Sequence, residues 1–369
     1  MLFELIRVAL GVQDCLSHSP TADEWGKLYD MAKKQSLVGV CFAGVQRLPE
    51  EVRPPEMLYL TWMGMAAKIQ QRNEVVNRQC VDLQKRLSAD GVRFCILKGQ
   101  GAGLRYPSDL SMLRQSGDID IWMAGGMEKV VRYVNGIAPT DEVTSSHVQL
   151  HVFEDTEVEM HYVPMRLGNR LANRRVMSWL FAQEETQMSH QVPFMDGALN
   201  VPTDEFDIVY QMLHIFKHLF NEGIGLRQLM DYYFVLCKGV DGEARLRVRK
   251  VVSGFGLDRF ASALMWVMQK VFGLSMIGVP WTPNQRDGEF LLEEILQMGN
   301  FGHRDERFRL NMDDSHMKHF WQMSSSKWRF IGHFPSEVIW QPIDMFLRFF
   351  EQKALRKKAM KFNSQLDKL

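Results

Sequence analysis

The stretch Gly117-Asp118-Ile119-Asp120-Ile121-Trp122-Met123 decides the reading of this chain. Its apolar residues, Ile119, Ile121, Trp122 and Met123, mark a buried strand. Side chains alternate across a strand, so Asp118 and Asp120 share one face. Two ionised carboxylates side by side repel each other and are costly to bury. A shared divalent cation, most often Mg2+, is an economical reason to keep such a pair. The plain alternative is a strand end with two solvated aspartates, because Asp-x-Asp is common by chance.

Upstream, Arg93 to Leu97 (RFCIL) reads as a short buried strand running into Lys98-Gly99-Gln100-Gly101-Ala102-Gly103 and then Leu104-Arg105-Tyr106-Pro107. A strand, a glycine-rich turn and a short helix suit a phosphate cradle. Glycines let the backbone approach closely, and a helix N-terminus offers free N–H groups and a positive dipole end. Lys98 stands where a cation reaches a phosphate. The lysine precedes the glycines and no Gly-Lys-Ser/Thr follows, so this is not a P-loop; read alone, such a run is more often a plain turn.

Downstream, Asp155 to Val163 (DTEVEMHYV) reads as a strand with Glu157, Glu159 and His161 on one face, and Val148 to Glu154 reads as its hairpin partner. A carboxylate here would complete a three-carboxylate metal site; the alternative is an amphipathic edge strand with a wet polar face. His147 and His151 are four apart and share a face, so both could address the cleft of Glu159.

The series "ILKG…A…YP…R.SGDID" followed by "VEMHY" resembles the nucleotidyltransferase fold of the DNA polymerase beta superfamily. Its Lys-Gly form is similar to a bacterial uncharacterised nucleotidyltransferase family and to related abortive-infection toxins. "HIFKHLFNEGIGLRQLMDYYFVL" resembles the helical segment that follows the catalytic domain, so the likeness spans roughly Val81 to Leu274. The resemblance implies transfer of a nucleoside monophosphate from an NTP such as ATP, with Mg2+ or Mn2+. It implies that Asp118 and Asp120 bind metal and that Glu159 is the third carboxylate, with Glu157 as its rival on the same face. Lys98, Gly99 and Gly101 fall on the turn that meets the triphosphate, and Arg114 and Ser116 stand just before the acidic pair. Arg114 either holds a phosphate or pairs with Asp118. His161 could orient a carboxylate or contact substrate, although it, His147 and His151 are each more often satisfied structural histidines; Arg227 with Asp231, an i, i+4 pair, is placed along the cleft by the resemblance. The superfamily's usual Gly-Ser turn is replaced by Lys98-Gly99, which leaves its serine contact without a match. The acceptor is open: a small molecule, RNA such as a tRNA end, or a protein. A toxin-like transferase and a degenerate, non-catalytic binder of nucleotide or partner are the alternatives.

The 369 residues suffice for two or more domains. The expected fold is a mixed α/β (α+β) sheet: an N-terminal helical region over 1–90, a catalytic domain over 91–202 and a C-terminal helical domain over 203–369. Thr21-Ala22-Asp23-Glu24 looks like a capping box, and Glu56 to Ala89 like one long helix closed by Asp90-Gly91. Further helices are expected near 127–135, 204–221, 226–238, 242–254, 258–273, 286–299 and 343–362, with a long loop over 300–328. Formal net charge is zero, which excludes a bulk electrostatic footprint for nucleic acid. Five scattered cysteines argue for a reducing, cytoplasmic setting and against a disulfide framework. The first residues, MLFELIRVALG, read as an amphipathic helix rather than a signal peptide, and no apolar run approaches the roughly 20 residues of a membrane span. His214 and His218 have helical i, i+4 spacing but no evident third metal ligand, so packing or a polar contact is the favoured reading. The last helix ends in Arg356, Lys357, Lys358 and Lys361; it reads as a docked helix with a solvated basic end, or as a contact for RNA, membrane or an acidic partner.

Overall fold

A computed structural model of the chain describes residues 1–221, 223–299, 327–340 and 342–347. They fall into two compact units, each assembled from separated segments. One takes Met1–Asn77, Ala102–Ser116 and the chain from Asp207 onward through the last long helix. The other takes Arg78–Gly101, Gly117–Phe206 and the described residues from 327 on.

The second unit is built on a four-stranded mixed sheet. Its strands are β1 (Phe94–Ile96), β2 (Ile119–Met123), β3 (His147–Gln149) and β4 (Val158–His161), in the order β1-β2-β4-β3. β2 lies antiparallel to β1 and parallel to β4, and β3 closes the far edge antiparallel to β4. Parallel neighbours need a crossover, and the chain between β2 and β4 supplies it with helix α7 (Gly126–Ile137) and β3. All five residues of β2 are buried, as expected of a strand covered on both faces. Each fully buried aliphatic side chain contributes about 1.5–3 kcal/mol. Ile119 and Ile121 thus help carry Asp120 into surroundings that a carboxylate would otherwise avoid. Behind β2, Trp122 stacks on Phe206 with centroids 6.1 Å apart, and Phe206 stacks on Trp179 at 4.8 Å.

The hairpin expected from 148–154 and 155–163 forms only over β3 and β4, and its first strand starts one residue earlier, at His147. Two elements of this unit were not anticipated. Helix α8 (Arg170–Ser189) buries Ala172, Val176 and Leu180 but leaves Leu171 and Phe181 exposed, so its apolar residues make no clean stripe. Its start is set by Asn169, whose side chain accepts from Leu171 and Ala172 N–H. The hairpin β5 (Gln191–Phe194) and β6 (Gly197–Asn200) is masked in sequence by Pro193.

The first unit is helical. It contains α1 (Leu2–Ala9), α2 (Ala22–Lys34), α3 (Val38–Arg47), the start of the long α4 (Glu56–Ala89), and α9 (Asp204–Asn221), which begins just before the break between the units. It continues with α10 (Leu226–Lys238), α11 (Gly242–Phe255), α12 (Asp258–Phe272) and α13 (Gln285–Met298). These match the expected helices within one or two residues. The capping box is present: Thr21 Oγ1 accepts from Glu24 N–H, and the Glu24 carboxylate accepts from Thr21 N–H at 2.9 Å. A β-carbon at Gly39 would meet the Leu113 carbonyl oxygen at 2.3 Å, so α3 can approach the 102–116 segment only at a glycine. Among the described residues no helix is long and apolar enough to cross a membrane. None of the five cysteines forms a disulfide among the described residues. Residues 342–347 are helical; the basic end of the last helix and most of the 300–328 loop lie outside the described residues.

Candidate active site

The strand register assembles the site. Parallel pairing sets Asp120 of β2 beside Glu159 of β4, and antiparallel pairing sets His147 of β3 beside His161 of β4. Glu159 and His161 are two apart and so share a face. His161 Nε2 lies 3.0 Å from Asp120 Oδ1 and 3.1 Å from Glu159 Oε2. His147 Nδ1 lies 3.6 Å from the same Glu159 oxygen, and the two imidazole centroids are 5.0 Å apart. From the other side, Lys98 Nζ donates to Asp120 Oδ1 at 2.8 Å. Lys98 is placed there by the strand end: Leu97 N–H still bonds the Asp120 carbonyl at 2.9 Å, and the chain turns at Gly99. Gly99 has φ +61°, and a β-carbon there would come within 3.2 Å of the Asp118 carbonyl oxygen, so glycine serves both conformation and space.

The charges respond to this crowding. Burial and then the neighbouring charges of Asp120, Glu159 and Glu157 push the Asp118 carboxyl up to about 6, against the pull of Lys98. Asp118 nevertheless remains exposed to water. Burial would raise Asp120 too, but Lys98 and His161 overcome it and hold that carboxyl far below the usual range. Glu159 is lowered despite its burial, chiefly by the hydrogen bond from His161. Burial alone would lower His161; the hydrogen bonds to Asp120 and Glu159 reverse this and raise it. The acids therefore divide: Asp120 and Glu159 are matched by protein cations, and Asp118 carries the unrelieved repulsion.

Other expected residues fall elsewhere. Arg114 is only 5% exposed and pairs in bidentate fashion with Asp231, at 2.7 and 2.8 Å, with Tyr106 Oη donating to the same carboxylate at 2.7 Å. The partner of Arg114 is thus Asp231, not Asp118, and sequence spacing had paired Asp231 with Arg227 instead. Arg227 donates to the Gln115 carbonyl at 2.9 Å, and Asn73 to the Arg114 carbonyl at 2.7 Å. These bonds fix the 102–116 segment within the helical unit. Ser116 also belongs to that unit, and its Oγ is buried without a hydrogen-bond partner. The turn after Lys98 is tighter than expected: α5 (Gln100–Gly103) is a single turn, as is α6 (Ser108–Ser111) after it, and Gly99 to Ala102 are buried. One turn carries much less dipole than a full helix. His151 lies beyond β3, exposed, 3.6 Å from Glu142, and does not join His147. Glu157 is exposed just before β4, and its carbonyl accepts from Ile119 N–H. His214 and His218 lie with ring centroids 4.2 Å apart, tilted at 55°, in α9; among the described residues the three-ligand group that emerges is instead His147, Glu159 and His161.

A mixed sheet carrying carboxylates on adjacent parallel strands, with a lysine-glycine turn at the end of the neighbouring strand, defines an α/β chain with a compact acidic centre. The sequence model of a family described as "uncharacterised nucleotidyltransferase" matches residues 21–273. The chain belongs to that family. No curated protein sequence matches it. Among solved structures it is similar to an antigenic nucleotidyltransferase-like protein from Paracoccidioides brasiliensis, at 14% identity over 54% of this chain and 96% of that one. The TM-score is 0.30.

Proposed function

We propose that the protein transfers a nucleoside monophosphate from an NTP to a hydroxyl-bearing acceptor, in a reaction dependent on Mg2+ or Mn2+. The observation that carries this reading is the convergence of Asp120 and Glu159 on one imidazole nitrogen while their charges raise Asp118. Three mutually repelling carboxylates suit a hard divalent cation. Asp118, Asp120 and Glu159 would hold it, and when bound it would supply neutralisation of the triphosphate and of the departing charge. In the transfer, the acceptor oxygen forms a bond to the α-phosphorus. The bond from that phosphorus to its bridging oxygen breaks, and pyrophosphate leaves with the electron pair. Little covalent chemistry falls to the protein, so positioning and charge carry the rate.

The chain's own groups take definite parts. Lys98 turns from Asp120 to a phosphate oxygen when nucleotide enters, with the Gly99 and Gly101 backbone beside it. His147 and His161 orient Glu159. The acceptor proton passes to one of the carboxylates of this centre. Arg114, Asp231 and Arg227 act as a brace for the segment leading to Asp118.

One observation favours a second reading. Lys98 and His161 already neutralise Asp120 from within the protein, as in a degenerate member that binds without turnover. Pyrophosphate release separates the two. The protein is incubated with each NTP, Mg2+ or Mn2+, and a cell lysate as acceptor source. Release that requires metal and is lost in Asp120→Asn supports transfer; no metal-dependent release with any NTP supports the binder.

A further inference from the structure

We propose that His147, Glu159 and His161 form a binding site for a transition-metal ion of the Zn2+ type. The site follows from strand register. His147 and His161 are direct partners across the antiparallel β3–β4 pair, and Glu159 lies on the same face two residues before His161. Side chains directly opposite in such a pair stand about 4.5–5.5 Å apart at Cβ, close enough for both rings to reach one ion. One ligand atom from each residue lies within 4.8 Å of the other two. Two of these spacings, 3.6 Å from His147 Nδ1 and 3.1 Å from His161 Nε2 to Glu159 Oε2, already suit donors that each sit about 2.0–2.2 Å from a common ion. A small closure of the third completes the set.

His161 is 6% exposed, and its Nε2, the nitrogen that would meet the ion, already lies between two carboxylate oxygens, Glu159 Oε2 and Asp120 Oδ1.

The donor set decides the class of ion. Two imidazoles and one carboxylate suit Zn2+, Co2+ or Mn2+, whereas Mg2+ demands oxygen. Three protein ligands leave at least one coordination position open, the form of a catalytic rather than a closed structural site. The set includes neither Asp118 nor Asp120, although Asp120 Oδ1 must release His161 Nε2 for the ion to reach it; Glu159 is common to this site and to the nucleotidyl-transfer reading.

The test uses the full chain freed of metal. Zn2+ and Mg2+ are titrated by calorimetry, and Co2+ is followed by its visible absorption. One equivalent of Zn2+ should bind, and His147→Ala should weaken it at least tenfold, a larger loss than it causes in Mg2+ binding. Asp118→Asn should leave Zn2+ binding within twofold, and so should His214→Ala, which controls for the histidine pair on α9. Should His147→Ala fold poorly, His147→Cys provides a gain of signal: a thiolate ligand adds an intense near-ultraviolet charge-transfer band to bound Co2+. No saturable Zn2+ binding by the wild-type chain overturns the proposal. So does Zn2+ affinity unchanged by His147→Ala, or Asp118→Asn weakening it as much as His147→Ala does. Absence of the new Co2+ band in His147→Cys counts equally against it. Failure of nucleotide transfer leaves each of these readouts intact.

Discussion

Asp118→Asn should make the metal-free protein more stable, not less. The side chain keeps its shape and loses a charge that Asp120, Glu159 and Glu157 repel. In the folded protein the carboxyl is raised from its ordinary 3.8 to about 6. The folded state therefore holds the proton to higher pH than the unfolded chain does. The ionised aspartate begins to destabilise as pH rises past 3.8 and does so fully above about 6. At about 1.4 kcal/mol per pH unit the full effect would be about 3 kcal/mol. Asp118 is exposed, however, and water screens its neighbours, which reduces the expected gain to about 1 kcal/mol. For a chain of this size that is a rise of about 1–3 °C in melting temperature at pH 7.5, vanishing near pH 4. Adding Mg2+ should reverse the order, because only the wild-type centre binds it tightly enough to gain stability by mass action. The assay is thermal melting of both proteins at pH 4, 6 and 7.5, with and without Mg2+. Loss of stability in Asp118→Asn at pH 7.5 without metal would show the carboxylate to be a structural partner. A gain equal at pH 4 and 7.5 would show that charge repulsion is not its source.

Three further outcomes follow from the same geometry. Lys98→Met removes the ammonium 2.8 Å from a buried carboxylate and should cost about 1–3 kcal/mol in denaturant unfolding; an unchanged midpoint would mean that His161 alone suffices for Asp120. Arg114→Met leaves Asp231 buried against Tyr106 without its bidentate partner and should cost about 3–5 kcal/mol, with Arg114→Lys recovering only part, because an ammonium cannot span both oxygens; full recovery by lysine would sink the bidentate argument. His161 is raised in the folded state, so its contribution is complete below its ordinary 6.5 and is lost as pH rises through the higher folded value. His161→Gln should flatten the fall in stability above pH 6.5, and identical slopes in the two proteins would contradict the clamp between Asp120 and Glu159.

Much of the acidic centre was legible in the sequence because it rests on period-two alternation, which is a local property. Asp118 with Asp120, and Glu159 with His161, could be placed on faces without knowing how the strands pair. The helices of the first unit were legible because their signals are also local: Thr21 with Glu24 forms a cap, and the largely apolar run from Leu226 to Lys238 is closed by Gly239. What sequence could not supply is register and long-range charge pairing. Nothing local shows that His147 stands across from His161, or that Lys98 reaches Asp120. Arg114 finds Asp231 across more than a hundred residues, whereas spacing suggested Arg227 as that aspartate's partner. Helix α8 escaped because its apolar residues are scattered around its axis, and β5 because a proline disguises an edge strand. His147 had a usable signal, a histidine at the start of a strand that pairs with "VEMH", but only the register turns it into a neighbour of Glu159.

The central claim is that an acidic centre on β2 and β4 directs nucleoside monophosphate, rather than phosphate, to an acceptor. It is tested most directly by the position of a radioactive label. The protein, Mg2+ and a lysate are incubated in parallel with NTP labelled at the α- or the γ-phosphorus, using wild-type chain and Asp120→Asn. The account predicts that α-label becomes attached to an acceptor, that γ-label emerges as pyrophosphate, and that Asp120→Asn does neither. Transfer of the γ-label to the acceptor, or α-labelling undiminished in Asp120→Asn, would contradict it.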